Sequence, residues 1–303
     1  MQTRNLAVLL LLGAVWGASF LFIKIGVAEL APAVLVTLRL SIAAVALLAL
    51  LAIRGGRLPT SWRTWANFCF TGFIGLVMPY LLITWGEQSI PSGMAAILNA
   101  TTPLFTVLLS YVWTREEQLT GARLLGVALG FVGVVVAVGV SELSLASAST
   151  QGQLAVLLAA ACYGFNGLYS RRAFRGQAPL LTATGQLLAA ALMLAPVALA
   201  LDGLPAGMPS ARAIAAVLAL SLLGTALAYV LLYWLIERVG ATLTSMVTYL
   251  LPPFALIYGA LFLREAITIS ALLGLVLVVL GIMLANRLLR WPARQPLPLR
   301  DKA

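Results

Sequence analysis

Runs of about twenty apolar residues recur along this chain from near its first residue to about residue 290, separated by short polar or charged breaks. A helix of ~20 apolar residues crosses a hydrocarbon core ~30 Å thick. In lipid, every backbone N–H and C=O must find its partner inside the protein. Closed barrels meet the same demand, but their strands alternate apolar and polar positions over ~10 residues. The runs here are continuous and about twice as long. Of 303 residues, 62% are apolar and only 9% charged, against about 25% charged in a typical soluble domain. Too little polar surface remains to cover a water-soluble globule. The expected fold is an all-α integral membrane protein.

Reading apolar windows between charged and Pro/Gly breaks places ten spans near 6–25, 32–53, 65–85, 91–113, 120–140, 153–173, 178–201, 212–235, 240–263 and 267–289. The first run contains Trp16 and Phe20 and is longer than the hydrophobic stretch of a cleaved leader, so it reads as a span. Short connections make consecutive helices antiparallel neighbours. If the N-terminus is cytoplasmic, fifteen of the nineteen basic residues fall on the cytoplasmic side. Lys24, Arg212 and Arg264 fall opposite, and Arg39 lies within the second span. That asymmetry predicts two cytoplasmic termini. It also explains the net charge of +10 through topology, so the lipid bilayer is an expected partner and nucleic acid is not. Cys69 and Cys162 sit inside apolar runs and read as small fillers. The chain has no histidine, which excludes His-based catalysis and His metal sites.

The second half repeats the first. At an offset of 149, Tyr80 falls on Tyr229, Trp85 on Trp234, Pro103 on Pro252, Arg115 on Arg264 and Glu116 on Glu265. At 148, Gly126 meets Gly274 and Gly133 meets Gly281; at 147, Trp16 to Ser19 meets Tyr163 to Asn166, and Lys24 meets Arg171. Apolar helices resemble one another by chance, but aromatic, proline and charged matches in one order do not. The expected division is a first five-helix repeat over 1–140, a Ser-rich linker over 141–152, a second repeat over 153–290 and a cytoplasmic tail over 291–303. An odd number of helices per half inverts the second relative to the first. Two inverted repeats are a recurring transporter plan, with the solute site near mid-membrane between them.

Several of these residues carry a resemblance. They are Val15-Trp16-Gly17-Ala18-Ser19-Phe20, Arg39, Ala95 to Leu98 running into Thr102-Pro103-Leu104-Phe105, and Glu116-Glu117. Their second-half counterparts are Tyr249-Leu250-Leu251-Pro252 and Phe262-Leu263-Arg264-Glu265. Over about residues 6–290 the chain resembles the drug/metabolite transporter superfamily, and within it the EamA-type ten-helix exporters, including the YddG-type amino-acid exporters. The resemblance implies export of amino acids or related metabolites through a central cavity in a bacterial inner membrane. It does not single out a substrate.

The candidate substrate-binding residues are Trp16, Ser19, Tyr80, Asn99, Thr102, Pro103, Tyr163, Asn166, Tyr229, Thr248 and Pro252, with Arg39 as a charge-pairing candidate. In the fourth span Ala95, Asn99, Thr102, Pro103 and Thr106 share one helical face. Pro103 has no N–H, so the Asn99 carbonyl loses its helical partner; Pro252 and Pro253 do the same to Thr248 and Tyr249. Matched proline-broken spans in two halves point to a transporter's site; the competing explanation is a kink that serves packing. Trp16, Ser19 and Ile23 face one way, matched by Tyr163, Asn166 and Ser170; such groups could stack on a solute or only tie helices together. Trp85, Trp113, Trp234 and Trp291 read as an interfacial belt. Arg39 could pair within the protein or contact a ligand.

Glu29, Glu87, Glu116, Glu237 and Glu265 lie near span ends, where solvation is easy, and no acid sits clearly in mid-span. An obvious proton relay is therefore missing. The expectation is alternating access around a mostly neutral cavity, facilitated or exchange-driven, for a small-molecule substrate and without a cofactor. The chain is expected to be a monomer or weak homodimer. Alternatives are a proton-coupled drug or metabolite antiporter and a nucleotide-sugar or phosphate-sugar exchanger, which would want several cavity bases. A membrane-embedded enzyme and a structural subunit are the remaining classes. A central cavity lined by helices 1, 3, 4, 6, 8 and 9 separates transport from a solid bundle.

Overall fold

The computed structural model describes residues 2–114, 120–139, 146–203 and 207–286, and all regular structure among them is helical. In chain order the helices are α1 Thr3–Val27, α2 Pro32–Ile53, α3 Trp62–Gly86, α4 Ser92–Trp113, α5 Gly121–Val138, α6 Ala148–Ala173, α7 Pro179–Leu201, α8 Ala211–Gly240, α9 Ser245–Leu263 and α10 Ile269–Ala285. Among the described residues, eight are long and apolar enough to cross a membrane. Of the other two, α10 is apolar but has 17 residues. The other, α6, has 26 residues but includes Gln151, Gln153, Asn166, Arg171 and Arg172. It starts at Ala148, inside the stretch read from sequence as linker. Arg115, Glu116, Glu117 and Trp291 lie outside the described residues. Large apolar side chains such as Val45, Leu125, Leu192 and Leu261 point out of the bundle, an arrangement that suits a lipid surround.

Helix ends explain the boundaries. Pro32 and Pro179 sit in the first turns of α2 and α7, where a missing N–H costs nothing. Arg264 closes α9 in the left-handed region at φ 57°. This bend carries Glu265 to the start of α4, where its carboxylate accepts from Ser92 N (2.9 Å), Ser92 Oγ (2.7 Å) and Gly93 N (3.4 Å). An acid there satisfies orphan donors and favours the positive end of the helix dipole. Glu29 caps α8 in the same manner, accepting from Ser210 N (2.7 Å) and Ser210 Oγ (2.6 Å).

Packing recurs in exchanged pairs. Helix α1 packs on α9 as α6 packs on α4, α1 on α8 as α6 on α3, and α3 on α7 as α8 on α2; α2 meets α7, and α5 meets α10. Residues repeat the exchange. A Cβ on Gly17 would lie 3.2 Å from Ala255 N, and one on Gly164 would lie 3.0 Å from Thr106 N. Between α5 and α10, Gly126 abuts the Gly281 carbonyl (2.7 Å for an added Cβ), and Gly133 abuts Gly274 O (2.8 Å). Small residues let these backbones touch. The α2–α7 seam is filled by Leu40, Ala43, Ala44 and Leu47 against Ala183, Leu187, Ala190 and Leu194.

Breaks in regular winding, paired between the two halves, shape the interior. Helix α3 contains a π-turn at Phe73–Val77, and α8 contains one at Leu222–Leu227. These occupy repeat-related positions, and π-turns often accompany functional sites. Helix α4 is interrupted between Asn99 and Thr102, and α9 begins as a tight 3-10 segment, Ser245–Tyr249, before resuming at Leu251. Both interruptions lie immediately before a proline, Pro103 or Pro252.

Candidate functional site

A cavity of about 240 Å³ lies where these irregular segments meet. Helix α1 supplies Trp16, Ser19, Phe20 and Ile23; α3 supplies Gly75, Tyr80 and Ile83; α4 supplies Asn99, Ala100 and Thr102. Tyr163 and Asn166 come from α6, Tyr229 and Leu232 from α8, Thr248 and Leu251 from α9, and Arg39 from α2. The cavity is thus bounded by the six helices named from sequence plus α2.

The helix turns that carry these side chains follow from local chemistry. The π-turn at Gly75 presents a bare Cα to α6, and Asn166 occupies the space that a side chain would take; an added Cβ would sit 2.9 Å from Asn166 Oδ1 and closer still to Nδ2. Gly224 in the other π-turn admits Ser19 in the same way, its Cβ position lying 2.6 Å from Ser19 Oγ. Neither glycine stood out in the sequence, although their offset of 149 matches the other repeat pairs.

Arg39 is buried, only 5% exposed. Its Nε donates to Thr225 Oγ1 at 2.9 Å, and its guanidinium lies 3.6 Å from the centre of the Tyr80 ring. Both partners are neutral. The Asn99 side-chain amide makes no hydrogen bond among the described residues, and its Oδ1 is buried without a partner. Tyr163 and Tyr229 lie close enough to Tyr80 and Arg39 to interact electrostatically.

Two expectations need correction. Pro103 and Pro252 do not line the cavity; their neighbours Thr102 and Leu251 do. The prolines act by breaking the helix, and the residues at the break reach the space. The Asn99 carbonyl freed by Pro103 is not left for a ligand, because Thr102 Oγ1 donates to it at 2.7 Å. Thr106 turns its hydroxyl to Thr102 O (2.9 Å), and Ser170 donates to Asn166 Oδ1 (3.3 Å); both lie behind the lining. Trp113 stacks on Phe165 at 4.9 Å, while Trp234 lies under Arg4 (5.1 Å) and Arg238 (4.0 Å).

Glu87 is the third correction. Its position just after α3 suggested easy solvation, yet it is fully buried and neither carboxylate oxygen has a hydrogen-bond partner among the described residues. Lys24 packs over this loop and donates to the carbonyls of Glu87 and Ile90, the latter at 2.8 Å. Burial raises the Glu87 carboxyl well above the ordinary carboxylate range; Glu265 adds to the rise, while Lys24 and Arg39 oppose it. A carboxyl raised in the fold contributes its stability fully below the unfolded value and loses it as pH climbs through the folded one. Glu87→Gln keeps the neutral form at every pH. Detergent-solubilised Glu87→Gln is therefore expected to melt above the parent at pH 8.5, with the gap shrinking at pH 5. A pH-independent gap would mean that Glu87 is already ionised in the fold.

Comparison with known proteins places this geometry. The sequence profile described as the EamA-like transporter family matches residues 4–139 and again residues 150–287. YoaV, an uncharacterized transporter of Bacillus subtilis, is 26% identical over 89% of this chain and 92% of its own. The inner membrane transporter YedA of Escherichia coli is 28% identical over 90% of this chain and 87% of its own. A protein of Streptantibioticus cattleyicolor named a probable terminal-alkyne amino-acid exporter is 31% identical, covering 90% of both chains. A crystal structure 20% identical in sequence superimposes with a TM-score of 0.67 over 95% of this chain and 98% of its own, a likeness of fold.

Proposed function

The chain belongs to the EamA-like transporter family of multi-pass membrane proteins, and from that premise we propose that it exports small amino-acid-like metabolites through the central cavity by alternating access of two inverted five-helix halves. The observation that carries this reading is the cavity's symmetric lining. Trp16 and Ser19 answer Tyr163 and Asn166, and Tyr80 answers Tyr229, so each half contributes an equivalent wall. Such a site can be offered to either side by the same motion run in opposite senses.

Inversion is supported by contacts that exchange partners. Gly126 is the repeat counterpart of Gly274, and Gly133 of Gly281; yet Gly126 touches Gly281 and Gly133 touches Gly274. A pair that swaps equivalents in this way is self-complementary about a two-fold axis. On the ten-span topology, with α6 and α10 also crossing, the distribution of basic residues supports a cytoplasmic side for both termini.

Chemistry and size narrow the solute. About 240 Å³ falls below the ~300–1,000 Å³ of pockets for drug-sized ligands. No acidic side chain lines the cavity among the described residues, which disfavours cationic drugs, and Glu87 lies outside the lining. A single lining base is too few for sugar phosphates. The relative named as an amino-acid exporter supports the same class.

Two states are supported by an asymmetry between equivalent residues. Lys24 ties α1 to the loop after α3, Glu265 ties the end of α9 to α4, and Ser89 Oγ reaches Ala148 O at 2.9 Å. On the proposed topology all three ties close the outer face. Arg171, the counterpart of Lys24, is exposed and makes no hydrogen bond among the described residues.

Trp16→Ala and Asn99→Ala test the site directly. Each is expected to cut the initial rate of solute flux in proteoliposomes at least about tenfold, the loss of one ligand-contacting group, while purified yield and melting temperature stay near the parent's. Equal loss of folded protein would return both residues to packing.

A further inference from the structure

The cavity lining holds one fixed charge, that of Arg39, and no acidic side chain lines the cavity beside it among the described residues. Arg39 is buried, and its Nε is committed to Thr225 and its face to Tyr80, but its two terminal nitrogens make no hydrogen bond among the described residues. No Asp or Glu among the described residues pairs with it. A buried guanidinium without a counter-ion is costly, and burial in protein persists when something repays it. Tyr80, Tyr163 and Tyr229 share the lining, and their hydroxyls have no hydrogen-bond partner among the described residues.

A buried cation facing the cavity, beside hydroxyls that can donate, selects an anion. The way Arg39 is held decides which kind. With Nε taken by Thr225, the two terminal nitrogens remain as a parallel pair of donors, the fork that accepts a carboxylate in bidentate fashion. One positive charge balances one carboxylate, whereas a phosphate dianion would leave a charge unmatched in a low-dielectric space. Opposite polarity is available elsewhere on the wall, where the unpartnered Asn99 amide and the Trp16 ring can receive an ammonium group.

We propose that Arg39 is the carboxylate-binding residue of the cavity, so that the α-carboxylate of an amino acid is required for recognition. This deepens the reading of the cavity as an amino-acid pathway and rests on it. Tyr80 and Thr225 are its positioning residues: the ring holds the guanidinium plane and the hydroxyl of the α8 π-turn holds its near edge. Lysine cannot replace it, because an ammonium point charge has no fork.

The test uses the purified full chain in proteoliposomes. The probe is the radiolabelled amino acid, of the twenty common ones, that exchanges fastest. Unlabelled acid, its carboxamide and its decarboxylated amine then compete for the parent protein. The acid is expected to compete at least about tenfold more effectively than either analogue. Arg39→Lys is expected to lose at least about tenfold in apparent affinity, and Thr225→Val less than that. Equal competition by the carboxamide and the acid overturns the assignment, whatever becomes of the variants, because that arm needs no substitution. If Arg39→Lys folds and keeps parental affinity, the assignment is likewise overturned. If none of the twenty amino acids is carried, the amino-acid reading of the cavity fails, and the anchor falls with it.

Discussion

Replacing Gly281 with leucine is expected to leave almost no folded protein to purify. A Cβ at this position would lie 2.6 Å from Gly126 O and nearer still to Gly130 N. Both are backbone atoms, so no side-chain rotation relieves the clash. The facing helix offers no slack, because Gly126 already abuts Gly281 O and the α10 backbone at Ala285. Helices α5 and α10 would have to part along a seam that also includes the contact of Gly133 with Gly274. Overpacking in a filled core costs about 1–3 kcal/mol, and more where backbones must move; loss of the close-contact seam adds to this. Gly167→Leu is the control, since nothing lies within 4 Å of a Cβ there, and it should purify as the parent does. Size-exclusion yield and a thermal melt in detergent read the result. A monodisperse Gly281→Leu protein melting within a few degrees of the parent would mean that the two helices do not touch through their backbones.

Gly75→Leu is expected to abolish transport while leaving the fold in place. Gly75 lies in the α3 π-turn and on the cavity wall, and the atoms that a side chain would meet belong to Asn166. Asn166 is only half-buried, so it can swing aside, unlike the backbone beside Gly281. The leucine then fills much of a space of about 240 Å³ and displaces the polar group facing it. Flux should fall by about a hundredfold or more, equivalent to losing two or more good contacts in a shared site. Parental flux in a folded Gly75→Leu protein would show that solute does not pass this point.

What could be read from sequence, and what could not, separates along physical lines. Long apolar runs and a charge imbalance act over whole helices, so the helical segments were legible, and single misplacements such as the start of α6 at Ala148 change little. Trp16, Ser19, Tyr163 and Asn166 could be placed on a common face because helical spacing and the repeat are both local in sequence. Pro103 and Pro252 mark where helices break, but which neighbour then faces the cavity depends on how the chain rejoins. No sequence pattern shows that the Thr102 hydroxyl takes up the carbonyl that Pro103 releases. Gly75 and Gly224 carry no signal in the sequence because an absent side chain leaves no pattern; only the atoms facing them reveal their use. For Glu87, position along a span measures only depth, whereas burial there is made by residues from other helices, Lys24 among them. Arg39 was visible as a charge, but its neutral partners, Thr225 and Tyr80, come from 186 and 41 positions away.

The most direct test of the central claim is exchange by the purified chain in proteoliposomes loaded with one amino acid and supplied outside with the same compound labelled, across the twenty common amino acids and without an imposed pH gradient. The account predicts saturable accumulation of label for at least one of them, absent from empty liposomes and from Gly75→Leu. It also predicts that collapsing or imposing a pH gradient leaves the exchange rate unchanged. Folded protein that moves none of the twenty, or moves them only when a proton gradient is applied, would contradict it.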